Sequence, residues 1–293
     1  MARMTPLEFA QRYFALDTFI FEQSLNDNDT ASPPAYVPPQ GWNQLRVDNY
    51  RLGASPWDEK FWTENIAAHF REPVTVRIKT IWGDEVDHTF TTAAAARRHF
   101  HPPFVGKGTP EQAQIAIQLV YRFRPVSTTL EQFAARNFIG LDCNGFIGNY
   151  VQRVVQEQDW ISAENDQDPG PTTLIGDLLH GQGDMVSNMD QIEPAGTYLL
   201  GWCRADGSIR DPSHDHPTDF GHIMITEPDT LRSTRIGRSI GVTEATAAGD
   251  SKLRSLNYVL RDSVTRSQHG TVFRVQRGIG GSEMDVRISR LRV

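Results

Sequence analysis

Five segments beyond residue 195, "GTYLLGW", "GHIMIT", "SIGVTEAT", "TVFRVQRG" and "MDVRISRLRV", each set apolar side chains against polar or small ones. Loops of Gly, Pro, Asp and Ser separate them. Alternation with a period of two is the signature of strands that bury one face. Consecutive strands joined by turn-rich loops pair antiparallel more readily than parallel, because a parallel pair needs a long crossover. Upstream, "PEQAQIAIQLVYRF" and "TLEQFAARNF" are helical in composition, the first opened by Pro110 at a first-turn position. Helices followed by a run of strands predict an α+β chain with helices packed on a mainly antiparallel sheet.

The N-terminal third reads differently. Phe9, Tyr13, Leu16 and Ile20 are spaced four, three and four apart, which predicts an opening helix over about the first 20 residues. "NDNDTASPPAYVPPQGW" has four prolines and predicts a loop or extended crossing. "PVTVRIKTIWGDEVDHTFTT" predicts a hairpin turning at Gly83-Asp84, and "AAAARRHF" a short helix after it. Residues 1-105 are therefore expected to form an N-terminal extension or small domain, and 106-293 the main domain.

At 39% hydrophobic and 22% charged, the chain can bury a substantial core. No segment has the roughly 20 apolar residues that span a bilayer, so no membrane span is expected. "MARMTPLEFAQRYFALDTF" lacks the apolar stretch of an export signal, and two cysteines make no disulfide framework, so a reduced, cytoplasmic state at synthesis is expected. The net charge of -7 is uneven: residues 232-293 hold 12 Arg/Lys against 5 Asp/Glu. Their alternation with apolar residues suits the solvent faces of strands, with contact to an anionic partner as the alternative. Neither basic-aromatic interleaving nor zinc-finger spacing is present, and no nucleic-acid partner is expected.

The chemistry concentrates around "GLDCNGFIGNYV". Ile147, Tyr150, Val151, Val154 and Val155 repeat at three and four, which predicts a helix over residues 143-158 with Cys143 at its start. A thiol attacks as the thiolate, which the partial positive charge of a helix N-terminus favours. Asp142 is a candidate cap, and Gly145 leaves the sulfur open to a substrate backbone. A base and a group to orient it complete such a site. His222 opens the apolar strand "HIMIT", and Glu244 lies on one strand face with Ile240, Val242 and Thr246. Two other readings compete: Cys143 as one more buried apolar residue, and a metal site in "DPSHDHPTDFGH" built from His214, Asp215, His216, Asp219 and His222. Pro212 and Pro217 make that segment a loop without a metalloprotease helix, so no metal or other cofactor is expected. Cys203 reads as a packed structural thiol.

"DCNGF" at 142-146 resembles the Asp-Cys-Ser-Gly-Phe signature of NlpC-type and CHAP-type cysteine peptidases and amidases of the papain-like superfamily. "GHIMI" at 221-225 is similar to their histidine strand, "IEPAGTYLL" to the strand between, and "VTEAT" to the strand bearing the orienting residue. Asn144 stands where that signature has serine, and 79 residues separate Cys143 from His222. The resemblance implies a papain-like (NlpC-type) fold over residues 106-293. It further implies Cys143 as nucleophile, His222 as base and Glu244 as orienting residue, with Asp142, Asn144 and Gly145 around the substrate and oxyanion. The implied substrate is a peptide or peptidoglycan-like amide. A secretion machine or phage would then deliver the enzyme, with a delivery or inhibitor protein as a further partner. Transglutaminase-like acyl transfer, or a non-catalytic binding or structural module of the same fold, are the alternatives.

Overall fold

The computed structural model describes residues 3-21, 39-51, 60, 62-123, 129-131, 139-161, 170-211, 221-247, 252-278 and 280-292. Most of "TLEQFAARNF", the proline-rich segment, and His214, His216, Asp215 and Asp219 lie outside the described residues. The chain divides into two compact units. One holds Gln11-Asp142 and Trp160-Ser162; the other holds Met1-Ala10, Cys143-Asp159 and Ala163-Val293. The first is thus inserted near the start of the second, between residues 10 and 143.

The second unit overturns the expected architecture. Strands β6 (Tyr198-Trp202), β7 (Ile223-Thr226), β9 (Gly237-Ala245), β10 (Leu253-Ser267), β11 (Gly270-Arg277) and β12 (Glu283-Leu291) pair in the order β10-β11-β12-β6-β7-β9. β9 then pairs with β10 and closes the ring. The result is a closed six-strand antiparallel barrel, with short β5 (Gly183-Met185) and β8 (Arg232-Thr234) added outside the ring. It is not a papain-like α+β fold of helices on a sheet. The closure comes from β10, a 15-residue strand whose sequence "LRSLNYVLRDSVTRS" does not advertise itself by strict alternation. Its first half registers Leu253-Leu260 against β9, and it runs on along β11 past an irregularity between Leu260 and Val264. A register shift of this kind increases bend and twist, as closing so few strands requires.

The barrel is filled rather than hollow. Tyr198, Leu200, Met224, Ile240, Val242, Tyr258, Leu260, Phe273, Val275, Val286 and Ile288 form one buried cluster, each at alternate positions of its strand. Among the described residues two α-helices accompany this unit, α4 (Cys143-Tyr150) and α5 (Ile175-Gly181), labelled after three that start earlier in the chain. α4 packs against β7 and β9. It continues from Val151 to Val155 as a wider turn, in which Gln156 N donates to Val151 O at 2.9 Å. The N-terminal residues belong here too: Phe9 is fully buried and packs on Phe146 and Tyr150 at centroid distances of 5.8 and 5.7 Å. The Tyr150 hydroxyl donates to Met4 O at 3.0 Å.

In the inserted unit, α1 (Pro6-Phe14), which begins in the barrel unit, ends before Leu16. The expected helix therefore stops early, and Leu16-Ile20 is strand β1, paired with β2 (Gly41-Leu45). Leu16, Thr18 and Ile20 alternate inward with Asp17 and Phe19 outward, a period-two pattern that the four-three-four spacing masks. The hairpin forms as β3 (Val74-Lys79) and β4 (Glu85-Phe90), with Gly83 at φ +98 in its turn. α2 (Ala93-Phe100) follows, its N-cap Thr92 accepting from Ala95 N.

The unpaired edge of β3 is covered by α3 (Pro110-Phe123). Gln118 accepts from Arg77 N and donates to Arg77 O at 3.0 and 2.8 Å. Gln114 does the same at Lys79, and Glu111 accepts from Ile81 N. Arg122 reaches Thr75 O. Steps of three or four residues along a helix advance about 5-6 Å, close to the two-residue repeat of a strand, so one face of α3 matches alternate residues of β3. Among the described residues no helix is long and apolar enough to cross a membrane.

Candidate active site

The barrel's alternating faces also build its polar end. Ile240, Val242 and Glu244 share one face of β9; Phe273, Val275 and Arg277 share one face of β11; Leu260 and Tyr258 continue to Arg254 along β10. The apolar members fill the core, and the last members of each row meet as a polar cluster at its end. Glu244 has no exposed surface. Its Oε2 accepts from His222 Nε2 at 2.7 Å and from the Tyr258 hydroxyl at 2.9 Å. Its Oε1 accepts from Arg254 Nε at 3.2 Å and from both Nε, at 3.0 Å, and Nη2 of Arg277. A buried carboxylate is costly unless all its lone pairs are used, and here five donor atoms use them.

His222 lies immediately before β7, with its side chain 12% exposed. Its carbonyl accepts from Trp202 N at 2.8 Å, which ties it to β6. Gly221 is required beside it, since a Cβ there would stand 1.9 Å from Arg210 O. With Nε2 committed to Glu244, Nδ1 is the ring nitrogen left to act on a thiol, and Cys143 lies close enough to influence the ring. Burial opposes a charge on this imidazole, but its interactions with Cys143 and Glu244 outweigh it and raise the pKa to about 9. Burial likewise works against the Glu244 charge, and the bonds from His222 and Arg277 overcome it, lowering the pKa to about 2. The raised His222 value adds stability that is complete below 6.5 and lost as pH rises through about 9. The lowered Glu244 value adds stability complete above 4.5 and lost as pH falls through about 2. Both contributions are whole between pH 4.5 and 6.5.

Cys143 opens α4 and is 7% exposed. Its sulfur lies 3.4 Å from Asn144 Oδ1. Asn144 Nδ2 donates to Thr173 O at 3.0 Å, so this amide anchors the neighbouring segment rather than pointing to an oxyanion. That segment passes close to the helix because residue 148 is glycine; a Cβ there would meet Gly170 O at 2.1 Å. Gly145 is buried in the first turn. The Asp142 carboxylate pairs with Lys107 Nζ at 2.7 Å within the inserted unit.

His222 and Glu244 are therefore joined directly, the Cys143 thiol influences the same imidazole, and Asn144 touches the sulfur. Tyr258, Arg254 and Arg277 were not singled out from sequence. The alternation in "TVFRVQR" that placed Arg277 towards solvent in fact continues the core row of Phe273 and Val275, and its side chain is 14% exposed. Arg287 is also buried, whereas Arg274 is exposed and pairs with Asp285. Cys203 is buried, and desolvation pushes its thiol up to about 12. Among the described residues no group of three or more His, Cys, Asp or Glu side chains is placed to hold a metal ion. No family model matches the chain, and neither a curated protein nor a solved structure matches it.

Proposed function

We propose that this protein is a cysteine-nucleophile hydrolase that cleaves an amide bond. The observation that carries the reading is the buried His222-Glu244 pair, whose ring also feels the Cys143 thiol at the start of a helix. Cys143 sulfur attacks the substrate carbonyl carbon while its proton passes to His222 Nδ1. His222 then returns that proton to the departing amine as the C-N bond breaks, leaving a thioester. Water, deprotonated by His222, attacks the thioester and releases the acid and the free thiol. Glu244 holds the imidazole and balances its charge throughout. First-turn N-H groups of a helix have no partner within it, so the backbone N-H of Cys143 is the candidate oxyanion donor.

The reading rests on these residues and not on the fold, which is a barrel. "DCNGF" and "GHIMI", through their resemblance to NlpC-type and CHAP-type motifs, favour a peptide cross-link or sugar-peptide amide of bacterial cell wall as substrate. Incubation with soluble peptidoglycan fragments, read by mass spectrometry, tests this. Hydrolysis adds one water across the cleaved amide and is lost in Cys143→Ala. Cleavage that persists in that variant, or no cleavage and no adduct at Cys143 with an activated ester, refutes the reading; capture of an added amine would redirect it to acyl transfer.

A further inference from the structure

The division of labour at the Glu244 carboxylate goes beyond a three-residue row. The two oxygens are not equivalent: Oε1 is taken by Arg254 and Arg277, Oε2 by His222 and Tyr258. Rotation of the carboxylate about its terminal bond would break bonds at both oxygens together. Arg277 is itself fixed, because its Nη2 also donates to Thr246 Oγ1 at 2.8 Å, and its backbone is held where Gly278 N donates to Asn257 O at 3.0 Å. Tyr258 is fully buried in the barrel core and stands directly opposite Arg277 in the β10-β11 register, so one strand pair supplies a donor to each oxygen. Burial, reinforced by the Glu244 charge, pushes its phenol pKa upward and keeps it a donor.

We propose that Arg277 and Tyr258 are positioning residues of the thiol site: they lock the Glu244 carboxylate so that one oxygen faces His222 Nε2 and the imidazole is held with Nδ1 towards Cys143. The proposal rests on the hydrolase reading above. Neither residue need touch substrate; each acts through Glu244. A carboxylate held only by His222 could rotate and follow the ring, and the ring would then sample orientations that miss the sulfur. Such a loss falls on the chemical step rather than on substrate binding.

The test uses the full chain with Tyr258→Phe, Arg277→Met and Arg277→Lys, each read in two ways. Tyr258→Phe preserves ring volume and so keeps the barrel core filled. The first readout is the His222 ring N-H resonance in histidine-labelled protein, which reports the Nε2 hydrogen bond without any turnover. The second is acylation of Cys143 by p-nitrophenyl acetate, separated into kcat and KM. Expected are a weakened, faster-exchanging N-H signal in Tyr258→Phe and Arg277→Met, with kcat down about tenfold in the former and about ten- to a hundredfold in the latter, and KM unchanged. Lysine keeps the charge but cannot bridge Oε1 and Thr246 with two nitrogens, so Arg277→Lys falls between wild type and Arg277→Met. Folded Tyr258→Phe and Arg277→Met proteins with the wild-type signal and wild-type kcat would overturn the proposal. A wild-type protein that shows the signal and loses it in both variants, yet is never acylated at Cys143, would sink the hydrolase reading and leave the positioning role standing.

Discussion

Lowering the pH should loosen the inserted unit at His99. The ring is 8% exposed, packs against Phe90 and Trp160 at centroid distances of 5.5 and 5.6 Å, and its Nδ1 has no hydrogen-bond partner. Burial, with smaller contributions from the charges of His88 and Arg98, lowers its pKa from 6.5 to about 4. His88 touches the same Trp160 ring at 5.2 Å, and its own pKa is lowered by burial. The unfolded imidazole takes a proton as pH falls through 6.5 and the folded one resists until about 4, so stability drains away across that interval. Each step of one on the pH scale is worth about 1.4 kcal/mol, giving a loss of about 3 kcal/mol by pH 4. Other groups also titrate there, so His99→Phe is the control: it keeps an aromatic ring against Trp160 and removes the titration. Urea unfolding followed by tryptophan fluorescence between pH 7 and 4 should show a steeper fall for wild type, with the difference growing to about 3 kcal/mol. Parallel curves for the two proteins, or a His99 resonance that titrates near 6.5, would refute the reasoning.

Iodoacetamide at pH 8 should leave Cys203 unmodified until the protein is denatured, because its thiol is held up to about 12; peptide mapping should find native-state label at Cys143 alone. Phe9→Ala should destabilise the barrel unit by about 3-5 kcal/mol, as for a fully buried aromatic, and a chain begun at Pro110 should fail the same unfolding assay because it lacks the Phe9 and Met4 contacts. Gln118→Leu leaves both Arg77 backbone groups without their side-chain partner and should cost the inserted unit about 2-3 kcal/mol in urea unfolding.

What could be read from sequence tracks how local its cause is. β9, β11 and β12 were legible because one face of each is apolar and the spacing is two. The pairing of His222 with Glu244 was legible because the start of one apolar strand and the core face of another carry residue types that suit one chemistry. Closure was not legible, because it is a property of β10 meeting both β9 and β11, and "LRSLNYVLRDSVTRS" mixes core positions such as Tyr258 and Leu260 with Arg254 and Asn257. Arg277 was misread for a related reason: a charged residue on a core row looks solvent-facing until a buried carboxylate two strands earlier in the sequence is known to meet it. Gln114 and Gln118 gave no signal either, since only the neighbouring edge of β3 explains two amides on a helix buried on nearly every side.

Each unit keeps a piece of chain from across the boundary, and this bears on how the protein is made. Met4 and Tyr150 are 146 residues apart, so the segment that covers α4 emerges from the ribosome long before its partner. The inserted unit needs Trp160, whose ring sits between His88 and His99, from the far side of α4. The inserted core cannot be completed until residue 162 has left the exit tunnel, and the barrel core not until β12 has. Loop closure over such separations is slow although its entropy grows only logarithmically with length. Nascent chains arrested before Trp160 should therefore be protease-sensitive throughout; the inserted unit should gain protection once residue 162 is out, and the barrel unit only after β12 has followed.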